Sequence, residues 1–261
     1  AAEWEEVQAL VITWTGQYNT IHKQIVDAAQ EECIVIIHCS DSNSVKSFLN
    51  GQGVPDVNID YLEVPFNSVW IRDYGANTCY ANMVEDVFLT DWIYNRPRPS
   101  DDAMPDAYGE HLGIDVYSTA ANPTKVMSTG GNWMSDGDGI AFSSNLILDE
   151  NDGNGDFGSL NYPDHTEQEL DQIFQDWMGI DEYIKMTVLP YDEIHHIDMH
   201  MKLLDEETLL IGEYPNGTSD GPQIEANIQY VLSSFTTKFG TPFKVVRIPQ
   251  PSATSGNFPP N

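Results

Sequence analysis

Two short segments of the chain carry the residues best suited to chemistry. One contains Asp73, in the run Trp70-Ile71-Arg72-Asp73-Tyr74-Gly75, and the other contains His196 and Asp198. A carboxylate binds a planar guanidinium cation through two parallel charge-assisted hydrogen bonds. An imidazole can give a proton to a leaving amine and then take one from water. The two carboxylates and the imidazole therefore predict a site that holds a flat cation and moves protons around it.

His196, Asp198 and His200 are spaced two residues apart. On a β-strand this spacing places all three side chains on one face, so we expect His196 and Asp198 to act on one ligand. An ordinary, partly buried His–Asp pair is the simplest alternative, and a second carboxylate at Asp73 argues against it. The same three residues could instead bind a metal ion, although the sequence offers no clear fourth ligand.

The composition narrows the classes of partner. The 261 residues include 41 acidic and 11 basic side chains, for a net charge of -30. DNA, RNA and anionic membranes need basic patches, so they are excluded as main partners. We expect a solvated acidic surface over an ample core, since 41% of the residues are hydrophobic. No apolar run reaches the 18 or more residues of a membrane span.

The hydrophobic pattern predicts alternating strands and helices. Strands are expected at residues 7–14, 34–37 and 57–64, with helices between them. From there a unit of hairpin, helix and strand recurs at roughly 60-residue intervals, which indicates a repeated architecture. The predicted hairpins lie at 77–92, 133–148 and 197–213, the helices at 101–112, at 167–178 and from Pro222, and the closing strands at 114–117, 184–189 and 243–248.

The unusual residues fall at equivalent places of these repeats. Asp73 precedes the first hairpin, Gly130-Gly131-Asn132 precedes the second, and His196 with Asp198 opens the third. If the units surround an axis, the three places converge there. Trp70 could stack on a flat group, although a strand Trp is usually buried in a core. Arg72 alternates with Asp73, so we expect it to face away as an ion-pair partner.

Two arginines stand out in a chain with so few basic residues. Arg96 and Arg98 lie in a segment stiffened by prolines. A pair of arginines recognises a carboxylate or a phosphate well. The alternative is ion pairing with the neighbouring Asp101 and Asp102.

An acidic segment near the middle of the chain offers oxygen ligands for calcium. It lacks the full EF-hand pattern, so a solvated turn competes with a structural Ca²⁺ site, and no other cofactor is expected. The candidate calcium ligands are Asp149, Asn151, Asp152, Asn154 and Asp156.

The motifs together resemble those of the guanidino-group-modifying enzymes, in the branch of agmatine deiminases and bacterial peptidylarginine deiminases. The resemblance spans essentially the whole chain. It implies an α/β fold, a pentein-type propeller of ββαβ units with pseudo-fivefold symmetry, of which residues 1–261 form one catalytic domain with about four blades. The matching segments are Ala2-Glu3-Trp4-Glu5, Trp70-Ile71-Arg72-Asp73-Tyr74-Gly75, Thr129-Gly130-Gly131-Asn132 and His196-Ile197-Asp198.

The resemblance also implies the roles of individual residues. Asp73 and Asp198 are expected to clamp the guanidinium, and His196 is expected to be the acid and base. Arg96 and Arg98 match the arginine pair that reads the C-terminal carboxylate of the substrate, which favours C-terminal arginine of peptides over agmatine. A non-catalytic binder of arginine-bearing peptides is a further alternative. The substrate contacts are expected from Trp70, Arg96, Arg98, Gly131 and Asn132.

A cysteine in the last blade would supply the nucleophile in such enzymes. The three cysteines here are Cys33, Cys39 and Cys79, and Cys79 lies in the wrong repeat to replace it. We therefore expect a companion C-terminal polypeptide that carries the nucleophile and the last blade. The resemblance to exported enzymes further implies a secreted or cell-surface protein.

Overall fold

The computed structural model describes residues 1–154 and 162–253, which fall into two compact units. We call Glu5–Thr119 the N-terminal unit. The C-terminal unit consists of Ala1–Trp4 together with Ala120–Asn261, within the described residues. Each unit is built from three-stranded sheets with helices in the connections.

The N-terminal unit opens with a parallel three-stranded sheet in the order β1-β2-β3. Its central strand is an apolar, mostly β-branched run that is buried on both faces, as expected for a covered parallel sheet. Asp41 caps the second helix by accepting hydrogen bonds from the main-chain N–H of Asn43 and Ser44. The elements are β1 (Ala9–Trp14), α1 (Asn19–Ala29), β2 (Ile34–Cys39), α2 (Ser42–Gly51) and β3 (Ile59–Glu63).

The rest of this unit is a helical turn, a hairpin, a short strand, two further helices and a parallel strand. The strands β4 and β5 pair antiparallel, and β5 pairs parallel with β7. This arrangement confirms the first predicted repeat. The elements are α3 (Ile71–Tyr74), β4 (Asn77–Ala81), β5 (Asp86–Asp91), β6 (Ile93–Tyr94), α4 (Pro99–Asp102), α5 (Met104–Leu112) and β7 (Val116–Ser118).

The C-terminal unit repeats the same topology twice. An antiparallel pair is followed by a helix and by a strand parallel to the second strand of the pair, in the sheets β9-β10-β11 and β12-β13-β14. The repeat of hairpin, helix and strand is thus confirmed three times along the chain. The elements are β8 (Met127–Ser128), β9 (Met134–Ser135), β10 (Ile140–Ser144), α6 (Leu146–Asp149), α7 (Glu167–Met178), β11 (Glu182–Met186), β12 (Met201–Asp205), β13 (Thr208–Glu213), α8 (Gly221–Ser234) and β14 (Lys244–Pro249).

The first residues of the chain are tied to this second unit. Trp4 packs against a core that includes Phe142, Ile184 and Leu209. The carboxylate of Glu3 forms an ion pair with Lys202 on β12. These contacts give the opening Ala2-Glu3-Trp4-Glu5 segment a structural role.

Two sequence predictions of strands are wrong at the candidate site. The predicted strand at 197–204 begins only at Met201, because Ile197–Met199 forms a 3₁₀ turn closed by a hydrogen bond from His200 N–H to Ile197 C=O. His195 precedes this turn with φ 59°, a left-handed value that no strand can accommodate. The expectation that His196, Asp198 and His200 share one strand face therefore fails.

The second error concerns the run at 140–148. The strand stops at Ser144, and Asn145 turns with α-helical dihedral angles into α6. Within residues 1–154 and 162–253, no helix is both long enough and apolar enough to cross a membrane.

Candidate active site

The segment around Asp73 is a single helical turn. Tyr74 is buried beneath it, and its hydroxyl donates to the Ser68 carbonyl at 3.0 Å and contacts the Thr13 hydroxyl at 2.8 Å. Asp73 is half-buried on the same turn, and Trp70, at its start, is 54% exposed. The alternative in which Trp70 is a buried strand residue is therefore wrong, and Arg72 shares the turn with Asp73 rather than alternating with it along a strand. The exposed indole is accessible for stacking on a flat group.

A buried carboxylate, Asp101, holds the loop that leads into this turn. Asp101 is fully buried and lies in α4. Its Oδ1 accepts hydrogen bonds from the main-chain N–H of Asn67 at 2.7 Å and of Ser68 at 3.1 Å, and its Oδ2 accepts one from the Ser68 hydroxyl at 2.7 Å. These charge-assisted bonds fix residues 67–68 against α4.

The guanidinium of Arg98 is anchored to the same loop. Its NH1 donates to the Ser68 hydroxyl oxygen at 3.3 Å and to the Tyr94 hydroxyl oxygen at 3.1 Å. Ser68 thus links Arg98 to Asp101 through one hydroxyl group. The predicted neighbourhood of Arg98 and Asp101 is real, although the hydrogen bonds of Arg98 run to Ser68 and Tyr94.

The Tyr94 hydroxyl marks where the charged residues of this unit meet. Burial, followed by the negative charge of Asp73, raises the pKa of Tyr94 to about 12, while Arg98 and Arg96 oppose the shift. The N-terminal unit therefore places Asp73, Arg96 and Arg98 within electrostatic range of the Tyr94 hydroxyl, to which Arg98 also donates a hydrogen bond. This part of the site can attract a cationic group and an anionic group of one ligand.

In the C-terminal unit, the Gly130–Asn132 segment is a buried 3₁₀ turn. The Asn132 side chain accepts a hydrogen bond from Ser144 N–H at 2.8 Å and donates one to Ser144 C=O at 3.4 Å. This pairing ties the turn to the end of β10. The predicted contacts of Gly131 and Asn132 with substrate stay predictions.

The histidine segment is fixed from the same strand. The Ser144 hydroxyl donates to the His195 carbonyl at 2.6 Å. Ile197 is fully buried and anchors the turn Ile197–Met199. His196, which directly precedes this turn, is 5% exposed. Asp198 lies on the exposed side of this turn. The segment therefore offers a largely desolvated imidazole next to an accessible carboxylate.

His200 does not join this pair as a ligand. Burial lowers the pKa of His200 to about 4, so its ring is neutral, and neither ring nitrogen has a hydrogen-bond partner among the described residues. In the part of the chain that the structure describes, no group of three or more His, Cys, Asp or Glu side chains could hold a metal ion. The metal alternative for His196, Asp198 and His200 is therefore not supported.

The candidate calcium segment is only partly described. Asn151 is fully buried and its amide bonds the main chain of Met127 and Ile147, which gives this residue a structural role. Asp152 accepts a hydrogen bond from Asn154 N–H at 2.9 Å within the turn, and Asp149 ends α6. Asp156 lies outside the described residues. The calcium site stays a prediction.

The cysteines of this chain are poorly placed to act as nucleophiles. Burial raises the pKa of Cys39 to about 11 and also raises that of Cys79, whose Sγ accepts a hydrogen bond from Thr90. Cys33 lies just before β2, at the end of the parallel sheet opposite to the loop that leads from β3 to Asp73. Thiolates react and thiols do not, so buried thiols of raised pKa are inert.

Solved structures that are similar to this chain identify its architecture. The chain matches the crystal structure of the "Putative Arginine Deiminase" from Porphyromonas gingivalis with a TM-score of 0.78 and 18% identity, over 98% of this chain and 77% of that one. It matches the agmatine deiminase of Enterococcus faecalis with a TM-score of 0.77 and 16% identity, over 97% and 70%. The fold is therefore the α/β pentein fold.

The family follows from the sequence match. The model of the Porphyromonas-type peptidyl-arginine deiminases matches residues 1–260, so the chain belongs to this family of guanidino-modifying deiminases. It is also 23% identical over 222 residues to a protein of Mycoplasma mycoides named "Putative agmatine deiminase". That match covers 80% of this chain but only 57% of the relative's length.

The sequence does not predict the roles of three residues at the site, or predicts them only in part. The sequence predicts Asp101 only as an ion-pair partner of the arginines, Tyr94 lies just after the predicted hairpin at 77–92, and Ser144 lies within the predicted hairpin at 133–148. The partners that define these roles are 4 to 51 residues away in sequence, as in the bond from Arg98 to the Tyr94 hydroxyl and that from Ser144 to the His195 carbonyl. The usable signal in the sequence was the presence of two arginines close to Tyr94 in a chain that has few basic residues.

Proposed function

We propose that the protein to which this chain belongs converts the guanidinium group of a C-terminal arginine in peptides to the ureido group of citrulline, with release of ammonia. The observation that carries the proposal is the hydrogen bond from Arg98 NH1 to the Tyr94 hydroxyl at 3.1 Å, since that hydroxyl also lies within electrostatic range of Asp73 and Arg96. A C-terminal arginine has a cationic head and an anionic carboxylate, and this unit presents both complementary charges. Agmatine is cationic at both ends, so an arginine pair would repel it.

In the proposed reaction Asp73 and Asp198 hold the guanidinium by charge-assisted hydrogen bonds. A cysteine thiolate attacks the guanidinium carbon, and His196 donates a proton to the nitrogen that leaves as ammonia. The remaining covalent adduct is a thiouronium. His196 then takes a proton from water, whose oxygen attacks the same carbon, and the thiolate leaves as the ureido product forms.

We propose that the nucleophilic cysteine is supplied by sequence outside these 261 residues. Two of the three cysteines are buried thiols with raised pKa, and the third precedes β2 at the far end of the sheet. The chain also matches little more than half the length of the Mycoplasma mycoides relative. A companion segment that completes the propeller with its last blade is part of the same proposal.

Agmatine deiminase activity is the second candidate, because the matched relatives include proteins named for that activity. Substrate preference separates the two. The natural full-length protein is assayed for ammonia release with a peptide ending in arginine, with the same peptide amidated at its C-terminus, and with agmatine. We expect the free-carboxylate peptide to have the highest kcat/KM.

The arginine pair gives the matched variant. Replacing both Arg96 and Arg98 with alanine should raise KM for the free-carboxylate peptide by about tenfold or more, as expected when a charged hydrogen bond is lost. Arg247→Ala, which removes an exposed ion pair with Glu225, is the control and should leave KM unchanged. Equal turnover of the amidated peptide, or agmatine as the best substrate, would overturn the peptide assignment. No ammonia from any of the three would favour a non-catalytic binder.

A further inference from the structure

Ser144 occupies a rigid place in the C-terminal unit. It is the last residue of β10, whose five residues are all buried between β9 and β11. Asn132 bonds both the N–H and the C=O of Ser144, so the main chain at this point is held on each side. Ser144 is therefore a rigid hydrogen-bond donor.

The hydroxyl of Ser144 is directed at one main-chain oxygen. It donates to the His195 carbonyl at 2.6 Å, although the two residues are 51 positions apart. The peptide group is planar, so the carbonyl oxygen of His195 and the main-chain nitrogen of His196 lie in one rigid plane. A hydrogen bond that holds this oxygen therefore restrains the orientation of the peptide plane from which His196 continues.

The conformation at His195 explains why a fixed oxygen matters. His195 has φ 59°, a left-handed value that is uncommon for a residue with a side chain. Without a partner for its carbonyl, this residue could relax to the right-handed or extended regions and carry His196 with it. The other end of the loop is held separately, by Asp220 Oδ1, which accepts a hydrogen bond from Tyr191 N–H at 2.9 Å.

We propose that Ser144 is a positioning residue, which holds the His195–His196 peptide so that the His196 imidazole points at the reacting nitrogen. The assignment rests on the proposed role of His196 as acid and base. Ser144 itself takes no part in proton transfer, because its hydroxyl proton is engaged by the carbonyl oxygen of His195.

The neighbouring serine provides a matched control. Ser143 is fully buried on the same strand, and successive strand side chains point to opposite faces. Its hydroxyl makes no hydrogen bond to the histidine segment among the described residues. Ser144→Ala releases the His195 carbonyl and also the Leu146 N–H, which donates to the Ser144 hydroxyl at 3.3 Å, whereas Ser143→Ala removes a similarly buried hydroxyl that bonds neither group.

The experiment measures kcat and KM of the natural full-length protein with the peptide ending in arginine. We expect Ser144→Ala to lower kcat by roughly 10- to 100-fold with KM within about twofold, as misplacement of a catalytic group does. Ser143→Ala should change kcat by less than about threefold. Ser144→Thr, which keeps the hydroxyl, should recover most of the rate. Equal losses in Ser144→Ala and Ser143→Ala, or no recovery with Ser144→Thr, would overturn the assignment.

A second measurement separates this inference from the proposed function. In the chain carrying ¹³C-labelled histidine, the ring signal of His196 should shift and broaden in Ser144→Ala, while that of His165, bonded to the Lys125 carbonyl, stays unchanged. If the wild-type protein releases no ammonia, the deiminase proposal fails and this signal still decides the positioning role. An unaltered His196 signal contradicts it. If Ser144→Ala does not fold, Ser144→Cys makes the same comparison, because a thiol is a weak donor.

Discussion

The turn Ile71–Tyr74 and the turn Ile197–Met199 both present a carboxylate, Asp73 and Asp198, but they are anchored differently. In the N-terminal unit the anchor is ionic, because Asp101 accepts three hydrogen bonds from Asn67 and Ser68. In the C-terminal unit the anchors are neutral: a serine hydroxyl on a carbonyl and an asparagine amide on a strand end.

The difference predicts how each turn responds when its anchoring residue is mutated. A buried carboxylate with three donors leaves all of them unsatisfied when it is removed, which is costly. A neutral hydrogen bond contributes less, so the histidine segment depends on exact backbone geometry more than on strong bonds. We expect mutations around Asp101 to act mainly on stability, and those around Ser144 to act mainly on orientation.

The largest effect is expected from Asp101→Ala. It should lower the free energy of unfolding by about 4.5 kcal/mol, since three bonds to a charged acceptor are lost at about 1.5 kcal/mol each. Urea denaturation followed by circular dichroism measures it. Asp106→Ala is the control, because Asp106 is exposed in the first turn of α5 and should contribute only about 0.5 kcal/mol. A similar loss in both variants would remove the ionic side of the comparison.

A half-buried carboxylate of the N-terminal unit, Asp91, should behave in the opposite way. Burial raises the pKa of Asp91 to about 7, and within the described residues the Ser118 hydroxyl is its one side-chain donor. A carboxyl whose pKa is higher in the folded than in the unfolded chain stabilises the fold fully below about pH 4. That contribution is lost as the pH rises through about 7, because the folded state must then hold a buried charge.

We therefore expect Asp91→Asn to raise the free energy of unfolding by about 2 to 3 kcal/mol at pH 8 and by little at pH 4. The expected gain is below the full shift, because Asp91 keeps partial contact with solvent. Urea denaturation at the two pH values tests this. A variant that is less stable than the wild type at pH 8 would show that Asp91 is satisfied as Asp101 is.

The general fold could be predicted from the sequence because its signals are local. The β-branched run of β2, the amphipathic helices and the repeat of hairpin, helix and strand all follow from periodicity. Each repeat places its polar residues at the entrance to a hairpin, so the positions of Asp73, Asn132 and His196 along the chain were also accessible. The family resemblance rested on the same motifs.

The local geometry of the site could not be predicted. A run such as His196 to His200 reads as a strand when only alternation is considered, and nothing in the side chain of His195 announces a positive φ. The carbonyl of His195 accepts its hydrogen bond from Ser144, which is 51 residues away, and bonds at such separations leave no local pattern. The ionic anchor at Asp101 was hidden for the same reason, since its partners are 33 and 34 residues distant.

On the neutral side of the comparison, Asn132→Ala should have a moderate effect. It leaves the N–H and C=O of Ser144 unpaired in a buried place and should lower the free energy of unfolding by about 1.5 kcal/mol. The variant also tests the predicted contact of Asn132 with substrate. If KM for the peptide ending in arginine rises tenfold while stability hardly changes, the side chain binds ligand and the anchoring role is wrong.

The smallest expected effect is the most specific to the histidine segment. Glycine adopts a positive φ without steric cost, so His195→Gly should change the free energy of unfolding by about +0.5 kcal/mol, a slight gain after the added entropy of the unfolded chain. Asn145→Gly is the matched control in the same unit, since Asn145 has α-helical angles and glycine there should cost about 0.5 to 1 kcal/mol. The two variants are expected to change the free energy of unfolding in opposite directions, whereas added flexibility alone would destabilise both. If His195→Gly is as destabilised as Asn145→Gly, the left-handed residue is not strained, and the Ser144 bond then orients His196 without offsetting any backbone strain.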